Sequence, residues 1–216
     1  MKPNQKGTRA FNNLLSPLRV GAFELRNRVI MGSMHTRLES QPDSITKQAA
    51  FYAERARGEV ALVITGGFSP NIEGLLEPGG PRMDDAAETA TLRPICDEVH
   101  REGALICAQL LHAGRYAKVE NCVAPSPINK FTPRELTHED ILRTINDFVT
   151  AAANAQAAGF DGVEVMGSEG YLLNEFTAPH TNKRTDDWGG SVENRHRLPT
   201  AVVGAVRDHC GPNFMI

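Results

Sequence analysis

Gly159–Arg197 reads GFDGVEVMGSEGYLLNEFTAPHTNKRTDDWGGSVENRHR, and this stretch decides the fold. It opens on a short apolar run, Val163–Met166, with a glycine on either side. A run of that length between turn residues predicts a strand buried on both faces. The segment that follows is too long for a tight turn and carries Tyr171, Trp188 and many charges. Loops of this length inside a compact domain are usually functional or disordered. Aromatic residues and paired charges point to order and function. A tyrosine just beyond the C-terminal end of a parallel strand stands where α/β enzymes place their chemistry.

Outward from this stretch the same unit recurs. Arg28–Met31 (RVIM), Ala61–Thr65 (ALVIT, closed by Gly66-Gly67) and Leu105–Leu111 (LICAQLL) are further core strands, and Gly162–Met166 is the fourth. Helical patterns lie between them. One spans about Thr46 to Arg57, with Ala49, Ala53 and Ala56 on one side and Gly58 as its stop. Leu92–Arg101 is a second, with Pro94 tolerated in its first turn. The clearest begins at Thr137, whose Thr-x-x-Asp spacing to Asp140 approximates a capping box. Ile141, Ile145, Phe148 and Ala152 follow at helical spacing, and the helix ends near Gly159. The last runs from about Val192 to His209, with Gly211 as its stop and Pro199 inside, a position that favours a kink.

Leu18–Leu25 reads as a hairpin around Gly21, Ser69–Asp85 and His112–Leu136 as long loops, and Phe214-Met215-Ile216 as the opening of a fifth strand. Strands alternating with helices predict a parallel sheet with crossover helices. Long loops after the strands and short returns before them suit a (β/α) barrel with its working face at the strand C-termini. A doubly wound sheet fits the same pattern.

Composition excludes several classes. The chain has 216 residues, 41% hydrophobic and 23% charged, with a formal net charge of −3, the profile of an ordinary globular domain. That charge gives no reason to expect nucleic acid or a membrane surface as partner, and no apolar run approaches the roughly 18 residues of a span. The polar start, MKPNQKGTRAFNNLL, has no apolar signal region, and residues 1–13 are expected to be flexible. None of the four cysteines stands in a C-x-x-C, so no metal or iron–sulfur motif is expected. Reduced cysteines in a cytoplasmic protein are the expectation.

GYLLNEF and TNKRTDDWGGSVENRHR resemble the old yellow enzyme family of FMN-dependent NAD(P)H:flavin oxidoreductases. MGSEGY at Met166–Tyr171 and MGSMH at Met31–His35 are similar to its 2,4-dienoyl-CoA reductase branch. The resemblance runs from about Leu14 to Ile216. It implies an α/β fold of the (β/α)8 TIM-barrel type, with the hairpin closing the bottom of the barrel. On this expectation, residues 14–216 hold about the first four β/α units and stop at the start of strand five. FAD, an iron–sulfur cluster and the flavin's phosphate grip would lie in a longer parent chain.

The resemblance also assigns residues. Ser33, Met34 and His35 would lie beside the flavin ring; otherwise Met34 is core and His35 a satisfied polar residue. Gly67 would let the flavin approach the backbone. Gln109 sits in QLxHxGR, a pattern matched by Gln109, Leu110, His112, Gly114 and Arg115. Its amide suits the flavin's pyrimidine edge, or makes a structural hydrogen bond. Tyr171 would donate the proton that completes reduction of an activated C=C bond, or else be a packing tyrosine. Glu169, Asn174 and His180 are substrate-contact candidates. Many members hold the substrate carbonyl with a His-x-x-His or His-x-x-Asn pair, where this chain has Met166 and Glu169. Neither suits an oxyanion, which disfavours small enones. The resemblance of MGSEGY to the dienoyl-CoA reductase branch implies an enoyl- or dienoyl-CoA thioester as substrate, with NAD(P)H as reductant. Arg184, Asp186, Trp188, Glu193, Asn194, Arg195 and Arg197 are read as loop architecture. The alternatives are an ordinary old yellow enzyme for small enones, or a non-catalytic half-barrel that forms a homo-oligomer through its edges.

Overall fold

The computed structural model describes residues 11–127 and 133–216; residues 1–10 of the expected flexible tail lie outside the described residues. A short helix α1 (Asn12–Leu15) comes first, so the expected boundary at residue 13 falls inside an ordered turn. Its Leu14 carbonyl accepts from the Arg28 N–H at 2.9 Å. The hairpin follows as antiparallel β1 (Leu18–Val20) and β2 (Phe23–Leu25), with Gly21 at φ +58° in the turn.

The alternating units come next. They are β3 (Ile30–Met31), α2 (Ser44–Arg57), β4 (Leu62–Phe68), α3 (Ala86–Ala90), α4 (Arg93–Arg101) and β5 (Leu105–Leu110). A small parallel pair, β6 (Val123–Ala124) and β7 (Arg134–Glu135), ties the long loop together. Then come α5 (His138–Ala158), β8 (Gly162–Val165), α6 (Leu172–Thr177) and α7 (Val192–Cys210). The main sheet is parallel, in the order β3-β4-β5-β8. Thr137 and Asp140 make a full capping box: the Thr137 hydroxyl accepts from Asp140 N–H at 3.1 Å and the Asp140 carboxylate from Thr137 N–H at 3.0 Å. Gly159, at φ +100°, closes α5, and α7 runs through Pro199 without interruption.

Some expectations need correction. Strand one is shorter than Arg28–Met31, because the Arg28 and Val29 N–H groups bond to Leu14 O and to the Asn27 side chain. Strand two does not close at the glycine pair but continues to Phe68. The register to β5 slips between Ile64 and Gly67, and there the Thr65 hydroxyl accepts from Gln109 N–H at 3.3 Å and donates to Gly66 O at 2.9 Å. A polar side chain thus fills the gap the slip leaves in the ladder. A Cβ on Gly66 would lie 2.8 Å from the Met34 carbonyl, so glycine there lets the segment after β3 settle onto β4. Helix α3, capped by the Asp85 carboxylate on Glu88 N–H at 2.8 Å, lies between the expected loop Ser69–Asp85 and the helix expected from Leu92, where no element is expected.

The core lies between the sheet and its helices. Val63, Ile106, Ala108 and Val163 meet Tyr52, Val99, Phe148 and Val202, all buried. Ala49, Ala53 and Ala56 are buried as the spacing predicts. At the other end, Leu18 and Val20 of the hairpin pack on Leu25, Leu62 and Cys107, closing the strand N-termini. Met215 lies beside β8: Val163 N–H donates to Met215 O and Met215 N–H to Asp161 O, each at 2.9 Å. Among the described residues no helix is long and apolar enough to cross a membrane, and no group of three or more His, Cys, Asp or Glu could hold a metal ion.

Near the same end, Asp161 Oδ2 accepts from Ile106 N–H and pairs with His100 Nε2, both at 2.8 Å. The hydrogen bond to Asp161 outweighs burial and raises the His100 pKa above 6.5. The stabilisation from this pair is therefore present below the unfolded value and fades as pH rises through the raised folded value. His100→Gln is expected to destabilise the fold at about pH 5.5 and to have little effect at about pH 9. Urea unfolding at both pH values checks this; equal effects would exclude a charged pair.

Candidate active site

Strand β8 ends at Val165, and Met166–Gly170 crosses the C-terminal mouth of the sheet to Tyr171, which caps α6. Backbone bonds pin the crossing to the β5 side. Met166 N–H donates to Leu110 O and Leu172 N–H to His112 O, each at 3.0 Å. Glu169 sits at φ +61° and Gly170 at φ +81°. A non-glycine residue in the left-handed region costs on the order of 1 kcal/mol, and here it marks the turn that presents Tyr171.

A cavity of about 470 Å³ opens at this mouth, and His35, Gly67, Leu111, Tyr116, Glu169 and Tyr171 form part of its wall. Burial, then Glu169, then Tyr116 raise the Tyr171 phenol above its ordinary 10, so it is a neutral proton donor at pH 7. Behind this wall, Gly67, Gln109 and Glu164 stand in register across β4, β5 and β8. Gln109 is buried, and its Nε2 donates to Ser33 Oγ and Glu164 Oε2, each at 2.7 Å. Its Oε1 takes no hydrogen bond from the described residues.

The expected site residues are thus only partly brought together. Ser33 and Gln109 are joined, and Glu169 and Tyr171 share the cavity with His35 and Gly67. Met34 is 52% exposed, which removes its reading as core. The glycine at 67 is also required by packing: a Cβ there would lie 2.8 Å from Leu111 Cβ and 3.0 Å from Gln109 Oε1. The close neighbours are the protein's own side chains. The Asn174 amide accepts from Gly170 N–H at 2.9 Å and donates to Thr177 Oγ1 at 3.3 Å, so it braces the turn and is not on the cavity wall. His180 is exposed beyond α6 and does not line the cavity either. The structure thus does not bring Asn174 and His180 to the cavity that holds Tyr171.

Two participants were missed. Glu164 shares its carboxylate with Gln109; its signal is an acidic residue inside a strand run, just as Gln109 interrupts its own. Tyr116 packs on Tyr171, and nothing local in the sequence reveals a contact between two loops. His112 of the QLxHxGR pattern is structural: burial pushes its pKa down to about 3, and its Nδ1 accepts from Gly114 N–H at 3.1 Å.

The charged signature forms a clasp beside the site. The Arg184 side chain is 6% exposed and pairs with Asp186 at 2.6 Å and Glu135 at 3.1 Å. It also donates to Pro125 O at 3.0 Å and Leu136 O at 2.7 Å. Trp188 Nε1 donates to His138 Nδ1 at 2.9 Å, and Arg195 and Arg197 bond to the Thr177 and Asp187 carbonyls. These partners are loop backbone and side chains, in keeping with an architectural part.

The chain belongs to the NADH:flavin oxidoreductase / NADH oxidase family, whose model matches residues 13–216. It is 42% identical over 211 residues to a metal reductase of Desulforamulus reducens, covering 94% of this chain and 31% of that one. Its fold is the α/β TIM-barrel type of the old yellow enzymes. The Pichia sp. AKU4542 old yellow enzyme superposes with a TM-score of 0.84 at 33% identity, covering 94% of this chain and 58% of that one. A 2-naphthoyl-CoA reductase in complex with 2-naphthoyl-CoA superposes with a TM-score of 0.86 at 28% identity, covering 94% and 34%. The chain spans 31% of the length of the Desulforamulus reducens relative and 62% of that of a Bacillus licheniformis NADPH dehydrogenase.

The site fits the ring end of a flavin. Gln109 Oε1 is an acceptor with no donor among the described residues, held directly behind Gly67 of the cavity wall. An imide N–H at a flavin's pyrimidine edge is the complementary donor.

Proposed function

We propose that this chain forms the substrate-facing wall of an FMN-dependent oxidoreductase that draws on NAD(P)H to reduce an activated C=C bond. The observation that carries this reading is Tyr171, a neutral phenol with a raised pKa on the wall that also holds Gly67. FMN, when bound, supplies the hydride. Gln109, Ser33 and the backbone of Ser33–His35 would hold its pyrimidine edge. Tyr171 keeps a proton above the cavity and delivers it to the substrate carbon left electron-rich. The phosphate grip, FAD and an iron–sulfur cluster would belong to a longer parent chain.

The substrate we infer is a 2,4-dienoyl-CoA thioester. Met166 offers no donor to a carbonyl oxygen, and its sulfur instead lies 3.6 Å from Gln109 Nε2 and from Ser168 Oγ. An ionised Glu169 on the cavity wall disfavours a nearby oxyanion. Both argue against small enones, and the similarity to a structure holding an aryl-CoA thioester supports the choice.

The test uses protein purified with FMN and desalted, then assayed with NADPH against 2,4-dienoyl-CoA and cyclohexenone. Retained flavin absorbance and preferential turnover of the thioester are expected. Equal or faster turnover of cyclohexenone would overturn the substrate assignment. A colourless protein would overturn the reading that this chain holds flavin by itself.

A further inference from the structure

Tyr116 comes from the turn after β5 and shares the cavity wall with Tyr171. The two rings meet edge to face, with centroids 6.2 Å apart and planes at 84°. The Tyr116 ring also stands close to Gly170, where an added Cβ would lie 3.3 Å from Cε2. One side chain therefore meets Tyr171 and borders the residue before it in the turn that presents the phenol.

Tyr116 is itself anchored. Its Oη accepts from Arg115 Nη2 at 2.9 Å, and the guanidinium carbon lies 4.8 Å from its ring centroid. Arg115 N–H donates to Glu175 Oε1 at 3.0 Å, and the buried Glu175 donates its own N–H to Tyr171 O at 2.8 Å. The path from Tyr116 through Arg115 and Glu175 thus returns to Tyr171, closing a ring of contacts around it.

We propose that Tyr116 is a positioning residue for Tyr171, its ring fixing the direction of the phenol and excluding water from one side of it. The proposal rests on Tyr171 being the proton donor. A donor must sit within hydrogen-bond reach of the carbon it protonates, and a misplacement of about 1 Å can lower a rate on the order of 10²-fold. An edge-to-face neighbour restricts the swing of the ring without blocking its hydroxyl.

The test compares Tyr116→Phe, which keeps the ring, with Tyr116→Ala, which removes it; Tyr116 is 37% exposed, so the truncation leaves little cavity. The chain has three tyrosines, and burial pushes Tyr52 up to about 12. Both variants keep Tyr52 and Tyr171; with Tyr52 pushed up to about 12, the earlier ultraviolet absorbance change reports Tyr171 ionisation, and it can be followed without cofactor. The other cavity-wall groups, His35, Arg37, Glu39, Glu77, Lys118 and Glu169, are the same in both variants, so the comparison isolates the ring. Removing it hydrates Tyr171, and a lower midpoint is expected in Tyr116→Ala than in Tyr116→Phe. For C=C reduction, kcat is expected to fall about tenfold or more in the alanine variant with KM little changed, and to recover with phenylalanine.

Equal Tyr171 midpoints in the two variants, or equal kcat values, would overturn the positioning role. Wild-type turnover in Tyr116→Ala alongside an inactive Tyr171→Phe would overturn it while leaving the proton-donor reading intact. An active Tyr171→Phe would overturn that reading and this proposal with it.

Discussion

Tyr171→Phe is expected to lower turnover of the C=C substrate by about 10²–10⁴-fold, the range a positioned general acid contributes. The substitution removes one oxygen and leaves the ring, so its contact with Tyr116 survives. Substrate binding and oxidation of NAD(P)H in the absence of substrate are expected to change little. The loss should appear in kcat, because the proton is needed only as charge builds on carbon. Steady-state kinetics with 2,4-dienoyl-CoA measures it. A variant within about threefold of wild type would remove Tyr171 from the chemistry.

Arg184→Ala is expected to destabilise the fold by about 1–3 kcal/mol, because the buried guanidinium's bonds to two carbonyls are lost while its carboxylate partners, each 45% exposed, regain water. The guanidinium joins the stretch before α7 to the backbone at Pro125 and Leu136 and to the carboxylates of Glu135 and Asp186. Without it, two carbonyls and two carboxylates lose a shared donor. Arg184→Lys should recover only part of the loss, since one ammonium cannot reach all four partners in the fork geometry of a guanidinium. Urea denaturation of the three proteins decides it. A change below about 1 kcal/mol would class the cluster with ordinary surface pairs.

Much of the fold was legible because its signals are local. The capping box at Thr137, the glycine after α5 and the apolar runs of β5 and β8 each announce an element within a few residues. What escaped depends on contacts distant in the chain. Strand β4 passes through Gly66 and Gly67 because Thr65 bridges the register slip to β5, and a glycine pair alone reads as a stop. Strand β3 lost its first residues to partners at Leu14 and Asn27.

The site divides in the same way. Gln109 stood out as an amide in an apolar strand, and Tyr171 stood out by its place after one. Glu164 carried the same signal as Gln109 and went unread, since one acidic residue in GVEV also fits a half-exposed strand. Asn174 entered only as a substrate-contact candidate through the resemblance. Its amide instead supports Gly170, which only the three-dimensional turn reveals.

The strand order β3-β4-β5-β8 has a consequence for how the molecule is made. Each strand of the main sheet after β3 pairs with the strand of that sheet that precedes it in the chain, so when such a strand leaves the ribosome its partner has already been synthesised. Domains generally fold from the N-terminus during synthesis, at about 5–20 residues per second. The sheet can therefore grow outward from the hairpin side without waiting for a distant segment. The wall bearing Gln109 is laid down before the loop of Tyr171 exists, and the proton donor is delivered onto a surface already built to receive it.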